Sequence, residues 1–261
     1  PGRRRPRGPP TPTPMPEGNN AFYDDLGETW SEGDDHAIAL LRAEGRLKLA
    51  YAQEVFAQHG LAPGARVLDV ACGGGLIALP LAEAGYRVEG VDLSESSLAV
   101  ARGRVPAGAD ATFRRGDAAA LDAPDASYDA VLLFDMLEHV EDAAAVIAEA
   151  GRVVRPGGLV LFNTFNQTPL AWLVAVKGFR FVVREAPDHI HVWRLFLPPS
   201  DLEAMAATAG LDVTHLTGVR PRIDGPFLRS IARRRLDPGF TFTTTGTLAV
   251  GYMGTAVRRG A

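Results

Sequence analysis

The chain has a single cysteine, Cys72, among 261 residues. That excludes an internal disulfide framework and any zinc site built on cysteines alone, and it fits a reducing, cytoplasmic setting. No apolar run approaches the ~20 residues a bilayer-spanning helix needs. Strong charge of one sign is absent as well: 27 Lys and Arg stand against 31 Asp and Glu. No global basic field therefore argues for nucleic acid as a partner. The opening PGRRRPRGPPTPTP has neither an initiating methionine nor the apolar core of a signal peptide. Proline and arginine repeats bury too little surface to offset their ordering entropy, so residues 1–17 are expected to be a disordered tail, with Met15 a candidate start. Residues 18–261 read as one domain.

What is present is alternation. Ile38, Leu41, Leu47, Tyr51 and Val55 recur at helical spacing between Asp34 and Gln58. After Pro63-Gly64, short apolar strands (Arg66–Val70, Arg87–Val91, Ala111–Arg115, Tyr128–Phe134, Leu159–Asn163) alternate with helical stretches (Leu76–Ala84, Glu95–Arg104, Leu137–Val154). A further helix spans Ser200–Ala209, and Leu211–Val219 and Thr247–Val257 read as a closing pair of strands. Near-continuous apolar strands are buried on both faces. The pattern predicts a Rossmann-like, doubly wound α/β fold. Its mostly parallel sheet of seven strands has an antiparallel last strand and carries a lid insertion over about 166–198.

Gly73-Gly74-Gly75-Leu76-Ile77-Ala78 follows the first strand and fits G-x-G-x-x-A, with Asp92 placed to hold a ribose. Missing Cβ atoms let backbone approach a ligand, and the helix behind offers free N–H groups. Asp69, just ahead of the glycines, is decisive. Its carboxylate repels a pyrophosphate but suits a phosphate-free ligand with a cationic end. S-adenosylmethionine is such a ligand, with a sulfonium and an ammonium. Asp92 is placed for both ribose hydroxyls, Asp117 for the adenine amino group, and Phe134 beside the cofactor. Gly73, Gly75, Leu93 and Ala118 complete this set.

These residues resemble those of class I S-adenosylmethionine-dependent methyltransferases, in particular the ubiquinone-biosynthesis O-methyltransferases that act on polyprenylated catechols. RLKLAY (Arg46–Tyr51), LDVACGGG (Leu68–Gly75), DMLEHVED (Asp135–Asp142) and RPGGLVLFNTFN (Arg155–Asn166) carry the resemblance. It implies cofactor contacts at Lys48, Ala71, Asp92 and Phe134. Lys48 stands where arginine is usual, for the methionine carboxylate, and Ala71 where glycine is usual.

Asp135, Glu138 and His139, at i, i+3 and i+4, are expected on one helical face. The residue pattern alone favours a plain reading: Asp135 as a helix N-cap, Glu138 as its capping-box partner, and a packing histidine. The resemblance instead implies a divalent metal site, for Mg²⁺ or Zn²⁺, that lowers the pKa of an acceptor hydroxyl. Without a metal, His139 is the candidate general base, with His189 and His191 as second candidates, His191 matching a family position. Cys72 reads as a packing residue.

Pro169–Glu185 mixes apolar residues with Lys177, Arg180 and Arg184. Its composition suits a cover over a greasy acceptor or a peripheral membrane contact. The basic run Phe227–Arg235 reads as a solvated face, with an anionic-lipid contact as the alternative. The function expected is O-methylation of a phenol or catechol, in particular a quinone precursor. The rivals are a methyltransferase of specialised metabolism acting on a small phenol or carboxylic acid, an NAD-dependent oxidoreductase, and a non-catalytic cofactor-binding module.

Overall fold

A computed structural model describes Trp30, residues 37–178 and residues 192–260. The expected tail lies outside the described residues. Helix α1 spans Ala37–Gln58, followed by β1 (Arg66–Val70), α2 (Ala78–Glu83), β2 (Arg87–Asp92), α3 (Glu95–Gly103), β3 (Ala111–Arg115), β4 (Tyr128–Leu133), α4 (Ala143–Val153) and β5 (Val154–Phe165). The chain closes with α5 (Pro199–Thr208), β6 (Leu211–Pro221), α6 (Gly225–Arg233), β7 (Phe242–Thr245) and β8 (Gly251–Arg258).

The eight strands form one sheet in the order β3-β2-β1-β4-β5-β8-β6-β7. The pairs from β3 across to β5 are parallel. Strand β8 runs antiparallel between β5 and β6. The sheet has one strand more than the sequence pattern suggests, because Phe242–Thr245 adds to the free edge of β6. The expected closing pair forms as β6 and β8, joined through α6 and β7 rather than directly.

Helices cover both faces. Tyr51 and Phe56 of α1, Leu79 and Leu81 of α2, and Leu98 of α3 share one apolar cluster with the sheet. Val146 and Ile147 of α4 and Leu202 of α5 share the other. Ser94 caps α3, its hydroxyl accepting from the Ser97 N–H at 3.3 Å.

Two predicted elements change. The helix expected over Leu137–Val154 begins only at Ala143, where the Asp142 carboxylate accepts from the Ala145 N–H at 2.9 Å. Leu137–His139 is instead a single 3₁₀ turn. Arg155–Gly158 does not sit between helix and strand; it belongs to β5, whose register against β4 shifts between Tyr128 and Ala130. Gly157, at φ +73°, supplies the left-handed backbone that this shift uses.

The described ends of the insertion pack on each other. Thr168 caps a helical turn, Pro169–Ala171, which continues as a π-helix over Trp172–Gly178. Ala171, Ala175 and Phe196 bury together beside Phe165 and Trp193. Leu170, Trp172 and Leu173 face outward, at 49, 40 and 54% exposure.

Candidate active site

Strand order reverses between β1 and β4, and a crevice opens at the carboxyl ends of the strands, where open α/β sheets bind ligands. The crevice is a cavity of about 380 Å³. Of the expected site residues, Asp69, Ala71, Gly73, Asp92, Leu93, Asp117, Ala118, Phe134, Asp135 and His139 line it. Gly75 does not; it turns the loop at φ +81°, and its N–H donates to the Cys72 carbonyl at 2.9 Å. His189 and His191 lie outside the described residues.

Asp92 is held by two backbone groups. One carboxylate oxygen accepts from the Gly73 N–H and the other from the Ser94 N–H, both at 2.8 Å. A carboxylate oxygen has more than one lone pair, and Asp92 lines the cavity. Asp117 is oriented by the Ala119 N–H at 2.9 Å. Asp69 is 3% exposed. Burial pushes its carboxyl up to about 7, helped by the Asp92 charge and opposed by a hydrogen bond from the Ala78 backbone. A bound cation offsets that cost. This donor set, two oriented acids and one buried acid around glycine backbone, fits S-adenosylmethionine.

Ala71 solves its missing glycine by strain. It adopts φ +59° at the end of β1, a left-handed conformation that costs an L-residue about 1–2 kcal/mol. Asp135 does the same at the end of β4, at φ +54°. Strain of this kind concentrates at functional sites.

Trp30 was not singled out by the sequence. Its indole lines the cavity and lies flat against the loop: a Cβ on Gly73 would stand 2.3 Å from it, and one on Gly74 2.5 Å. Its Nε1–H donates to Ser97 Oγ at 3.1 Å. This contact spans 67 residues and leaves no local signal. It gives the glycines a second reason to be glycine.

Lys48, implied as a contact to the methionine carboxylate, pairs with a protein carboxylate here. It is 1% exposed, does not line the cavity, and donates to both carboxylate oxygens of Asp135. Burial pulls its pKa down, but the carboxylates of Asp135 and Glu44 outweigh this and hold it above the usual lysine value.

The residues expected to hold a metal have other partners in this structure. Asp135, Glu138 and His139 do not share a helical face, because a left-handed residue and a 3₁₀ turn separate them. Asp135 is engaged by Lys48, and Glu138 Oε2 accepts from Thr164 Oγ1 at 2.8 Å. Among the described residues no three His, Cys, Asp or Glu side chains form a metal-holding group. The side chains present do not fit a divalent ion. Nor is Asp135 an N-cap, a position Asp142 takes.

Burial, aided by the Asp135 charge, lifts Glu138 far above the carboxylate range. Burial lowers His139 to about 4, the Asp135 charge opposing it. His139 is thus a neutral imidazole in the cavity wall at neutral pH.

A family profile described as a methyltransferase domain matches residues 68–162. A ubiquinone biosynthesis O-methyltransferase of Hahella chejuensis is 36% identical over 199 residues, 76% of this chain and 82% of the relative. The chain belongs to the ubiquinone-biosynthesis O-methyltransferase family. It is an S-adenosylmethionine-dependent O-methyltransferase, which sets the oxidoreductase alternative aside. A similarly named protein of Azorhizobium caulinodans is 33% identical and is covered over 82% of its length. Magnesium protoporphyrin IX methyltransferase from Synechocystis PCC 6803, solved with bound SAH, superposes with a TM-score of 0.64 at 21% identity. The match covers 93% of this chain and 96% of that one, and shows the methyltransferase fold.

Proposed function

We propose that this methyltransferase transfers a methyl group to a phenolic oxygen of a polyprenylated quinone precursor presented at a membrane surface. The observation that carries the reading is the run of relatives, 33–39% identical, that bear the name ubiquinone biosynthesis O-methyltransferase. Bound S-adenosylmethionine supplies the methyl on a sulfonium, already an excellent leaving group. The chain must therefore aim the acceptor oxygen and remove its proton. His139 is the proton acceptor in this reading; Asp92, Asp117, Asp69 and Phe134 hold the donor.

The insertion supports a lipid-borne acceptor. It turns Leu170, Trp172 and Leu173 outward, with the Lys177 ammonium 5.3 Å from the Trp172 ring. Arg194 ties its far end to Glu141 on the rim of the cavity. Apolar side chains beside a cation suit the headgroup boundary. No helix among the described residues is long and apolar enough to cross a membrane.

The test compares one catechol carried on a polyprenyl chain in anionic vesicles with the same ring bearing no chain. The lipid-borne acceptor is expected to have the higher kcat/KM. Leu170→Ser/Leu173→Ser is expected to raise KM for it several-fold and leave the soluble catechol unaffected. Equal use of both acceptors, or a double variant that affects both alike, rejects the membrane reading. Turnover only of small phenols or carboxylic acids assigns the enzyme to specialised metabolism.

Donor binding has its own pH signature. With Asp69 at about 7 before the cofactor binds, the carboxylate that meets the cation is mostly protonated at lower pH. Affinity for S-adenosylhomocysteine, which keeps the ammonium, is expected to fall about eightfold from pH 7.5 to 6 by linkage. Asp69→Asn should bind more weakly with a flat profile. A wild-type profile without slope in calorimetry would contradict this role.

A further inference from the structure

Behind the end of β4 the fold gathers charged side chains that start far apart in sequence. Lys48, in the middle of α1, donates to both carboxylate oxygens of Asp135, 87 residues away. Its Nζ lies 3.5 Å from Glu44 Oε1, one helical turn earlier. The field of Glu138 reaches it as well. Asn163 of β5 fixes the arrangement: its Oδ1 accepts from the Asp135 N–H at 2.8 Å, and its Nδ2 donates to Glu44 Oε1 at 3.3 Å.

We propose that the Lys48 ammonium takes the place, and supplies the charge, of a divalent cation among these acids, so that the methyl transfer of this chain needs no metal. The geometry of Asp135 supports this. It is one methylene shorter than glutamate, and its left-handed backbone with the Asn163 contact fixes its carboxylate on Lys48. A divalent ion would have to take those oxygens from a lysine that is 1% exposed, leaving a buried ammonium with only the longer contact to Glu44. Small divalent ions such as Mg²⁺ demand near-octahedral oxygen ligation. Here Asp135 serves Lys48, Glu44 serves Asn163 and Lys48, and Glu138 serves Thr164. Lys48 does not line the cavity. It is a positioning residue that acts through Asp135, which does line the cavity.

Calorimetric titration of the S-adenosylhomocysteine complex with Mg²⁺, Mn²⁺ and Zn²⁺ tests the proposal. The wild type is expected to show no saturable binding up to millimolar ion. Lys48→Met, which removes the ammonium and keeps the acids, is expected to gain one Mn²⁺ per chain and a Mn²⁺-dependent rise in Tm. Adding Asp135→Asn should abolish both gains, and Lys48→Arg should behave as wild type. A purely packing role for Lys48 would produce no new ion site. Stoichiometric binding by the wild type that is lost in Asp135→Asn overturns the proposal. A folded Lys48→Met that takes up no ion overturns it too. If Lys48→Met does not fold, the wild-type titration decides alone. A chelator is expected to leave wild-type turnover unchanged. That arm rests on the methyl-transfer reading above, whereas the ion titrations do not, so the two can fail separately.

Discussion

Asp92→Ala is expected to weaken S-adenosylhomocysteine binding by at least a hundredfold in calorimetry. The side chain has two tasks. Toward the protein, its oxygens join the Gly73 N–H in the loop to the Ser94 N–H at the start of α3, each at 2.8 Å. Toward the ligand, the carboxylate lines the cavity and in the proposed reading accepts from the two ribose hydroxyls. A hydrogen bond to a charged group contributes about 1.5–3 kcal/mol. Losing two such bonds to the ribose therefore costs roughly 3–6 kcal/mol, before any loosening of the loop is counted. Asp92→Asn keeps one oxygen and should fall between wild type and alanine. An alanine variant within threefold of wild type would mean that the ribose lies elsewhere.

The second large effect is expected at the acceptor. His139→Ala should lower kcat by about 10²–10³, within the range general-base catalysis contributes, while leaving cofactor affinity unchanged. The timing of proton transfer follows from the acidities involved. Burial lowers the imidazole to about 4, whereas a phenol titrates near ~10. Complete proton transfer before methylation would then cost roughly 8 kcal/mol. Loss of the proton as the carbon–oxygen bond forms avoids that cost. With saturating donor, kcat should accordingly be flat between pH 5.5 and 8, where His139 stays neutral. The donor's kcat/KM should fall below pH 7, as Asp69 protonates. A kcat that rises tenfold per pH unit, unchanged in His139→Ala, would transfer the role from His139 to hydroxide.

The centre of the sheet was readable because its strands are buried on both sides. Val67, Leu68 and Val70 in β1 and Val131, Leu132 and Leu133 in β4 are almost wholly buried. No alternative periodicity competes there. The acids Asp69 and Asp92 were readable for the same reason, since a charge at the end of an apolar strand is anomalous. The stretch after β4 misled because Asp135, Leu137, Glu138 and His139 have helical spacing. Asp142, a stronger cap, lies just beyond them, and the pull of Lys48 on Asp135 acts across 87 residues. Trp30 and Lys48 act through contacts distant in sequence, which no local pattern reports. The edge strand β7 was missed because its threonines, half open to solvent, lack the apolar run that marked the others.

The buried lysine also constrains how this sequence can drift. Losing Asp135 first leaves the buried lysine with Glu44 alone, whereas losing Lys48 first leaves acids that an ion can fill. The order of change is therefore set: a lineage leaves the Lys–Asp solution through position 48. Across descendants of this enzyme, a replaced Asp135 should be found only where Lys48 has already been replaced.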